Sequence, residues 1–129
     1  LCGGSGSNIV KTVLDVTRED TELKFVDDQF GTPTFTEDAA KRILQISTNN
    51  LNGIWHASNS GVTSWYEFVK TTLSIAGREN INVKAISTED LVPARPARRP
   101  QYSALISERD LPPMDHWSIP LERLVKKLI

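Results

Sequence analysis

The segment richest in chemistry is Pro93-Ala94-Arg95-Pro96-Ala97-Arg98-Arg99-Pro100, which places three arginines within five residues. A guanidinium presents a planar fork of N–H donors that matches two phosphate oxygens at once. Prolines stiffen such a loop and reduce the entropy lost when it closes on a ligand. Two other readings share this composition. Pro93-x-x-Pro96 beside arginines is also the pattern of a polyproline peptide ligand, and a basic stretch also serves as a solvated connector. The charge layout favours a local anion: residues 1–90 carry 8 Lys/Arg against 12 Asp/Glu, and residues 91–129 carry 7 against 4. The whole chain has a formal charge of −1, which excludes a general nucleic-acid binder.

Other candidate chemistries are weaker. His56 and His116 are 60 residues apart and Cys2 is remote from both, so no zinc-ligand spacing exists. His56 lies among Ile54, Trp55 and Ala57 and reads as a semi-buried histidine of a strand. No local signature supports a Cys–His nucleophile pair. Of the carboxylate pairs, Glu37-Asp38 suits a helix start and Glu89-Asp90 a solvated face. Asp27-Asp28 sits at a strand end, where ligand-facing loops lie. Gly4-Ser5-Gly6 supplies two glycines of G-x-G-x-x-G, but Ile9 occupies the third position and no strand precedes it, so a dinucleotide turn is not indicated. Trp55, Trp65, Tyr66 and Phe68 suggest a stacking platform, yet the periodicity assigns most of them to core packing.

The elements that must position these residues follow from pattern. Ile9, Val10, Val13 and Leu14 predict a first helix, and Leu23–Val26 alternates as a strand. Asp27–Thr34 is a loop. Thr34-Phe35-Thr36-Glu37 matches a capping box for a helix with Ala39, Ala40, Ile43, Leu44 and Ile46 facing the core. Gly53–Ala57 reads as a second strand. Ser64-Trp65-Tyr66-Glu67 is another capping box, opening a helix with Trp65, Phe68, Val69, Leu73 and Ala76 on its apolar face and Gly77 at its stop. Asn82–Ile86 reads as a third strand. Ser118-Ile119-Pro120 starts a last helix with Leu121, Leu124, Val125 and Leu128 at core spacing and Lys126 and Lys127 at its negative end. The expectation is an α/β fold, one lobe over residues 1–129, with helices interleaved with short strands and too few strands for a doubly wound sheet. At 129 residues the chain is long enough for one core. No apolar run approaches the roughly 20 residues of a membrane span, and one cysteine fits a reducing, cytoplasmic setting.

The order of motifs carries a resemblance. Gly3-Gly4-Ser5-Gly6-Ser7-Asn8-Ile9-Val10, Asp27-Asp28-Gln29-Phe30-Gly31-Thr32-Pro33-Thr34, Gly61-Val62-Thr63-Ser64-Trp65-Tyr66-Glu67-Phe68 and Ala97-Arg98-Arg99-Pro100-Gln101-Tyr102-Ser103-Ala104-Leu105 follow one another as in the dTDP-4-dehydrorhamnose reductase family of the extended short-chain dehydrogenases. The chain resembles the C-terminal, substrate-binding part of that family. The resemblance implies a missing N-terminal nucleotide-binding (Rossmann) domain upstream of Leu1. That domain would hold NADPH and the catalytic Tyr-x-x-x-Lys, leaving no catalytic or cofactor-binding residue here. Tyr66 and Lys70 have that spacing but fall on the capped helix and are not the catalytic pair. The resemblance also implies a dTDP-sugar nucleotide as ligand, with Arg98 and Arg99 beside its diphosphate and Gln29, Phe30 and Asn8 lining the cleft. Arg99 is favoured because Arg-Pro is the family pattern. Ile106 departs from it, standing where the family commonly has Asp. The full-length protein is expected to reduce dTDP-4-dehydro-L-rhamnose; a non-catalytic regulatory homologue binding a partner protein is the alternative.

Overall fold

Asn8 opens the first helix by accepting the Lys11 amide on its side chain, and α1 runs Ile9–Val16. In the computed structural model, which describes residues 1–17, 22–93, 96–106, 109 and 111–129, ten further elements follow. They are β1 (Leu23–Val26), β2 (Phe30–Gly31), α2 (Thr36–Thr48), β3 (Asn59–Ser60), β4 (Thr63–Ser64), α3 (Trp65–Ile75), β5 (Val83–Ile86), a 3-10 turn at Thr88–Asp90, β6 (Met114–His116) and α4 (Ser118–Leu128). The strands form three two-stranded pairs. β1 runs parallel to β5 with Leu23 opposite Val83, β2 antiparallel to β4, and β3 parallel to β6.

α3 is the centre of the lobe because its two sides feed two apolar clusters. Phe68 joins Cys2, Val10, Leu14, Phe35, Trp117 and the α4 residues Leu121, Leu124 and Val125. Val69 and Leu73 join Val13 and Ile81 and rest on Leu23, Phe25 and Val83 of the β1–β5 pair. Phe68 and Trp117 meet with ring centroids 5.6 Å apart. Helix α3 starts where the sequence predicts, with Ser64 Oγ accepting the Glu67 amide, while the return bond from the Glu67 side chain is absent among the described residues, so only half of the predicted capping box forms. It also stops as predicted. Gly77 takes φ +68, and the Arg78 amide reaches back to the Leu73 carbonyl while Gly77 reaches Ser74, the pairing that a left-handed residue after a helix permits.

Helix α2 departs from expectation. Phe35, not Thr34, precedes it, and Thr34 Oγ1 turns back to the Thr32 carbonyl, so the predicted capping box does not form. Distant groups take its place: the Phe35 amide donates to Asn59 Oδ1 and the Thr36 amide to the Cys2 carbonyl. Its buried residues are Asp38, Ala39 and Arg42, whereas Ile43 and Leu44 are 61% and 63% exposed. Arg42 is buried because its guanidinium donates to the Pro112 carbonyl at 2.5 Å.

The predicted strand at Gly53–Ala57 is not paired. Ladder pairing begins at Asn59, Ile54 is 78% exposed, and His56 is exposed rather than semi-buried. An extended, β-prone segment without a neighbouring strand has nowhere to place its backbone hydrogen bonds except water. No helix among the described residues is long and apolar enough to cross a membrane.

Candidate functional site

The β2–β4 pair and the start of α3 form one wall of an open cleft of about 470 Å³. Gln29, Phe30, Gly31 and Thr32 line it beside Ser64, Trp65 and Phe68, and the exposed Arg99 and Pro100, with Ser103 and Leu105, complete the lining. The backbone of Phe30 explains how the arginine loop comes to this place. Its amide donates to the Gln101 carbonyl at 2.7 Å, and its carbonyl accepts from the Ser103 amide at 2.9 Å and the Ser103 hydroxyl at 3.2 Å. Residues 101–103 are thereby laid along β2, and Arg99, two residues earlier, is delivered to the cleft.

The sequence-predicted residues divide accordingly. Gln29, Phe30 and Arg99 are brought together on one cleft. Arg98 is exposed and does not line it, and Arg95 lies outside the described residues. Neither Arg98 nor Arg99 is ion-paired among the described residues, so both charges remain available to an anion. Asn8 is elsewhere. Its side chain caps α1 and donates to the Gly3 carbonyl at 2.8 Å, which gives it a local structural task.

Pattern reasoning placed Trp65 with the core. The structure sets it 38% exposed on the cleft wall, edge-on to Phe68 at 6.2 Å. The first residue of a helix projects beyond the packed stripe, and its position next to the Ser64 cap was the available signal. Phe30, 40% exposed, adds a second aromatic surface to the cleft. Tyr66 and Lys70 pack on each other, with the ammonium 5.2 Å from the ring centroid, and line no part of this cleft.

Asp28 and Thr88 were not distinguishable as a pair from sequence. Thr88 donates its amide and its hydroxyl to the Asp28 carboxylate at 2.9 and 2.6 Å, and accepts from Gln29 Nε2 at 3.0 Å. These two hydrogen bonds hold the Asp28 carboxyl below the usual aspartate range. The described residues contain no cluster of His, Cys, Asp or Glu able to hold a metal ion.

The glycine-rich opening is held closed by its own contacts. Lys11 Nζ bonds the carbonyls of Gly4 and Gly6, and Cys2 forms an isolated parallel bridge with Phe35 just before the loop.

The arrangement is chemically a binding cleft: a cation at the rim, two aromatic faces and a buried amide, suited to an anionic ligand with a planar or apolar part. Comparison with known proteins identifies the family. The chain is 38% identical over 119 residues to the spore coat polysaccharide biosynthesis protein SpsK of Bacillus subtilis, covering 89% of this chain and 40% of that one. It is 35% identical over 126 residues to the dTDP-4-dehydrorhamnose reductase of Streptomyces griseus, covering 91% of this chain and 41% of that one. The crystal structure of dTDP-4-dehydrorhamnose reductase from Bacillus anthracis in complex with NADP superposes with a TM-score of 0.87 at 33% identity, over 99% of this chain and 45% of that one. The chain thus spans about 40% of the length of these curated relatives. The model of the RmlD substrate binding domain matches residues 1–128. With the backbone agreeing along its whole length as well, the chain belongs to the RmlD substrate binding domain family.

Proposed function

We propose that this chain is the sugar-nucleotide-binding part of a cytoplasmic, NADPH-dependent reductase that converts dTDP-4-dehydro-L-rhamnose to dTDP-L-rhamnose. The observation that carries the reading is Arg99, a guanidinium with no ion-pair partner among the described residues, exposed on the lining of an aromatic-walled cleft in a member of this family. A guanidinium there offsets the diphosphate charge and orients it through paired N–H donors. Trp65 and Phe30 give a planar or apolar face of the ligand a surface to cover.

In this reading NADPH belongs to a nucleotide-binding domain that the relatives' extra length accommodates. The same domain explains the two departures of the fold. Ile43 and Leu44 on α2, with the unpaired segment 53–57, are what a helix and a strand leave uncovered when the sheet they complete lies in another part of the protein.

Isothermal titration of the chain with dTDP tests the reading. Saturable binding that weakens as salt is raised from 50 to 300 mM supports it, because an exposed cation is screened over a distance of about 8 Å at physiological ionic strength. A folded chain that binds no dTDP overturns it. The 129 residues alone are expected to oxidise no NADPH, and turnover by them would place the cofactor site on this lobe instead.

A further inference from the structure

Behind the cleft wall, three side chains settle which way the Gln29 amide faces. Asp28 accepts both the amide and the hydroxyl of Thr88. Those bonds favour the ionised carboxylate, which has no proton to give. The Thr88 hydroxyl carries one hydrogen, and Asp28 takes it at 2.6 Å. Only lone pairs remain on Thr88 Oγ1, so its 3.0 Å contact with Gln29 requires an N–H, and Nε2 is the atom placed there. Turning the amide over would set two acceptors against each other, at the cost of a buried, unmade hydrogen bond. Gln29 is 7% exposed and lines the cleft, and its Oε1 takes no hydrogen bond among the described residues.

We propose that Thr88 is a positioning residue: held by Asp28, it fixes Gln29 with Oε1 as an acceptor toward the cleft, so that the site requires an O–H or N–H donor from its nucleotide. The inference rests on the nucleotide reading above and adds a rule of selection to it. Three donors of a dTDP-sugar have this chemistry: the base imide N–H, the pentose 3′-hydroxyl and the hexose hydroxyls.

The test compares dTDP, N3-methyl-dTDP, 3′-deoxy-dTDP and dTDP-glucose as ligands of the chain and of its Thr88→Val and Thr88→Ser variants. In the wild type, removing the donor that meets Gln29, or adding it with the hexose, is expected to change affinity about fivefold, the value of one neutral hydrogen bond. The factor should fall close to one in Thr88→Val, whose amide is no longer held, and return in Thr88→Ser. A steric penalty from the N3-methyl group would persist in Thr88→Val, which separates it from a lost hydrogen bond. Equal factors in all three proteins overturn the proposal. Binding that is lost in Arg99→Ala while the factors ignore Thr88→Val overturns the positioning role and leaves the nucleotide site standing. Absence of binding by every nucleotide to the folded chain removes both.

Discussion

Asn59 Nδ2 donates to Asp38 Oδ2 at 2.8 Å, across 21 residues of sequence, while Asn59 Oδ1 receives the Phe35 amide at 3.0 Å. One fully buried amide therefore caps α2, fixes its buried carboxylate and, through the Asp115 carbonyl at 3.1 Å, ties β6 to the same point. Arg123 of α4 completes the set by donating to Asp38 Oδ1 at 2.9 Å.

Asn59→Ala leaves the Phe35 amide and one Asp38 oxygen without partners and is expected to cost about 2–4 kcal/mol. Thermal unfolding followed by circular dichroism should show a Tm lower by roughly 5–15 °C. Asn59→Asp sets a second carboxylate against Asp38 and should be further destabilised at pH 7 than at pH 4, each relative to wild type. An unchanged Tm for the alanine variant would assign the capping of α2 to Cys2 alone.

The Asp28–Thr88 contact predicts an acid-sensitive contribution to stability. The folded-state value of Asp28 lies below its ordinary one, so its contribution is complete above about pH 4 and disappears as pH falls through the lowered folded value. Carbon-13 NMR titration of the aspartate carboxyls should find Asp28 low in the wild type and returned toward the usual range in Thr88→Val. Because the Thr88 amide bond survives in that variant, a partial rise is expected, and an Asp28 value unchanged from wild type would contradict the assigned cause.

Gly61 adopts φ +87, and a Cβ built there would lie 2.2 Å from His116 Nε2 and 2.9 Å from Trp117 Cδ1. Gly61→Ala is expected to destabilise by about 1–3 kcal/mol, combining left-handed strain with displacement of the imidazole. In the double variant with His116→Ala, part of that loss should be recovered, measured as non-additivity in urea unfolding. The Trp117 contact and the backbone strain would remain. Strict additivity would show that His116 moves aside without cost.

Adjacent arginines should behave differently. Arg99 lines the cleft and Arg98 does not, so Arg99→Ala is expected to weaken dTDP binding by roughly 10- to 100-fold, the range of one charge-assisted contact. Arg98→Ala should change it by less than about threefold, through screened long-range attraction. Both variants should keep the wild-type Tm, because neither guanidinium has an ion-pair partner among the described residues. Equal losses in the two would return the loop to a diffuse basic patch.

Much of this protein is decided locally and was legible in its residues. Helical spacing from Ile9, Trp65 and Ser118, the Ser64 cap, the Gly77 stop and the alternation at Leu23–Val26 each specify an element through contacts within a few residues, and each appears where the pattern places it. The order of motifs pointed to Arg98, Arg99, Gln29, Phe30 and Asn8, of which Gln29, Phe30 and Arg99 line one cleft. Tertiary structure decided what depends on partners far away in sequence. The cap of α2 comes from Asn59 and Cys2 because a donor with a distant acceptor does not need the local Thr34 hydroxyl. The segment at Gly53–Ala57 has strand composition, yet pairing needs a neighbour and the described residues offer none. Arg99 rather than Arg98 reaches the cleft because Phe30 binds Gln101 and Ser103, a register between segments about 70 residues apart. Gln29 faces as it does because Asp28 claims the one proton of Thr88, a choice that only their meeting in space can make.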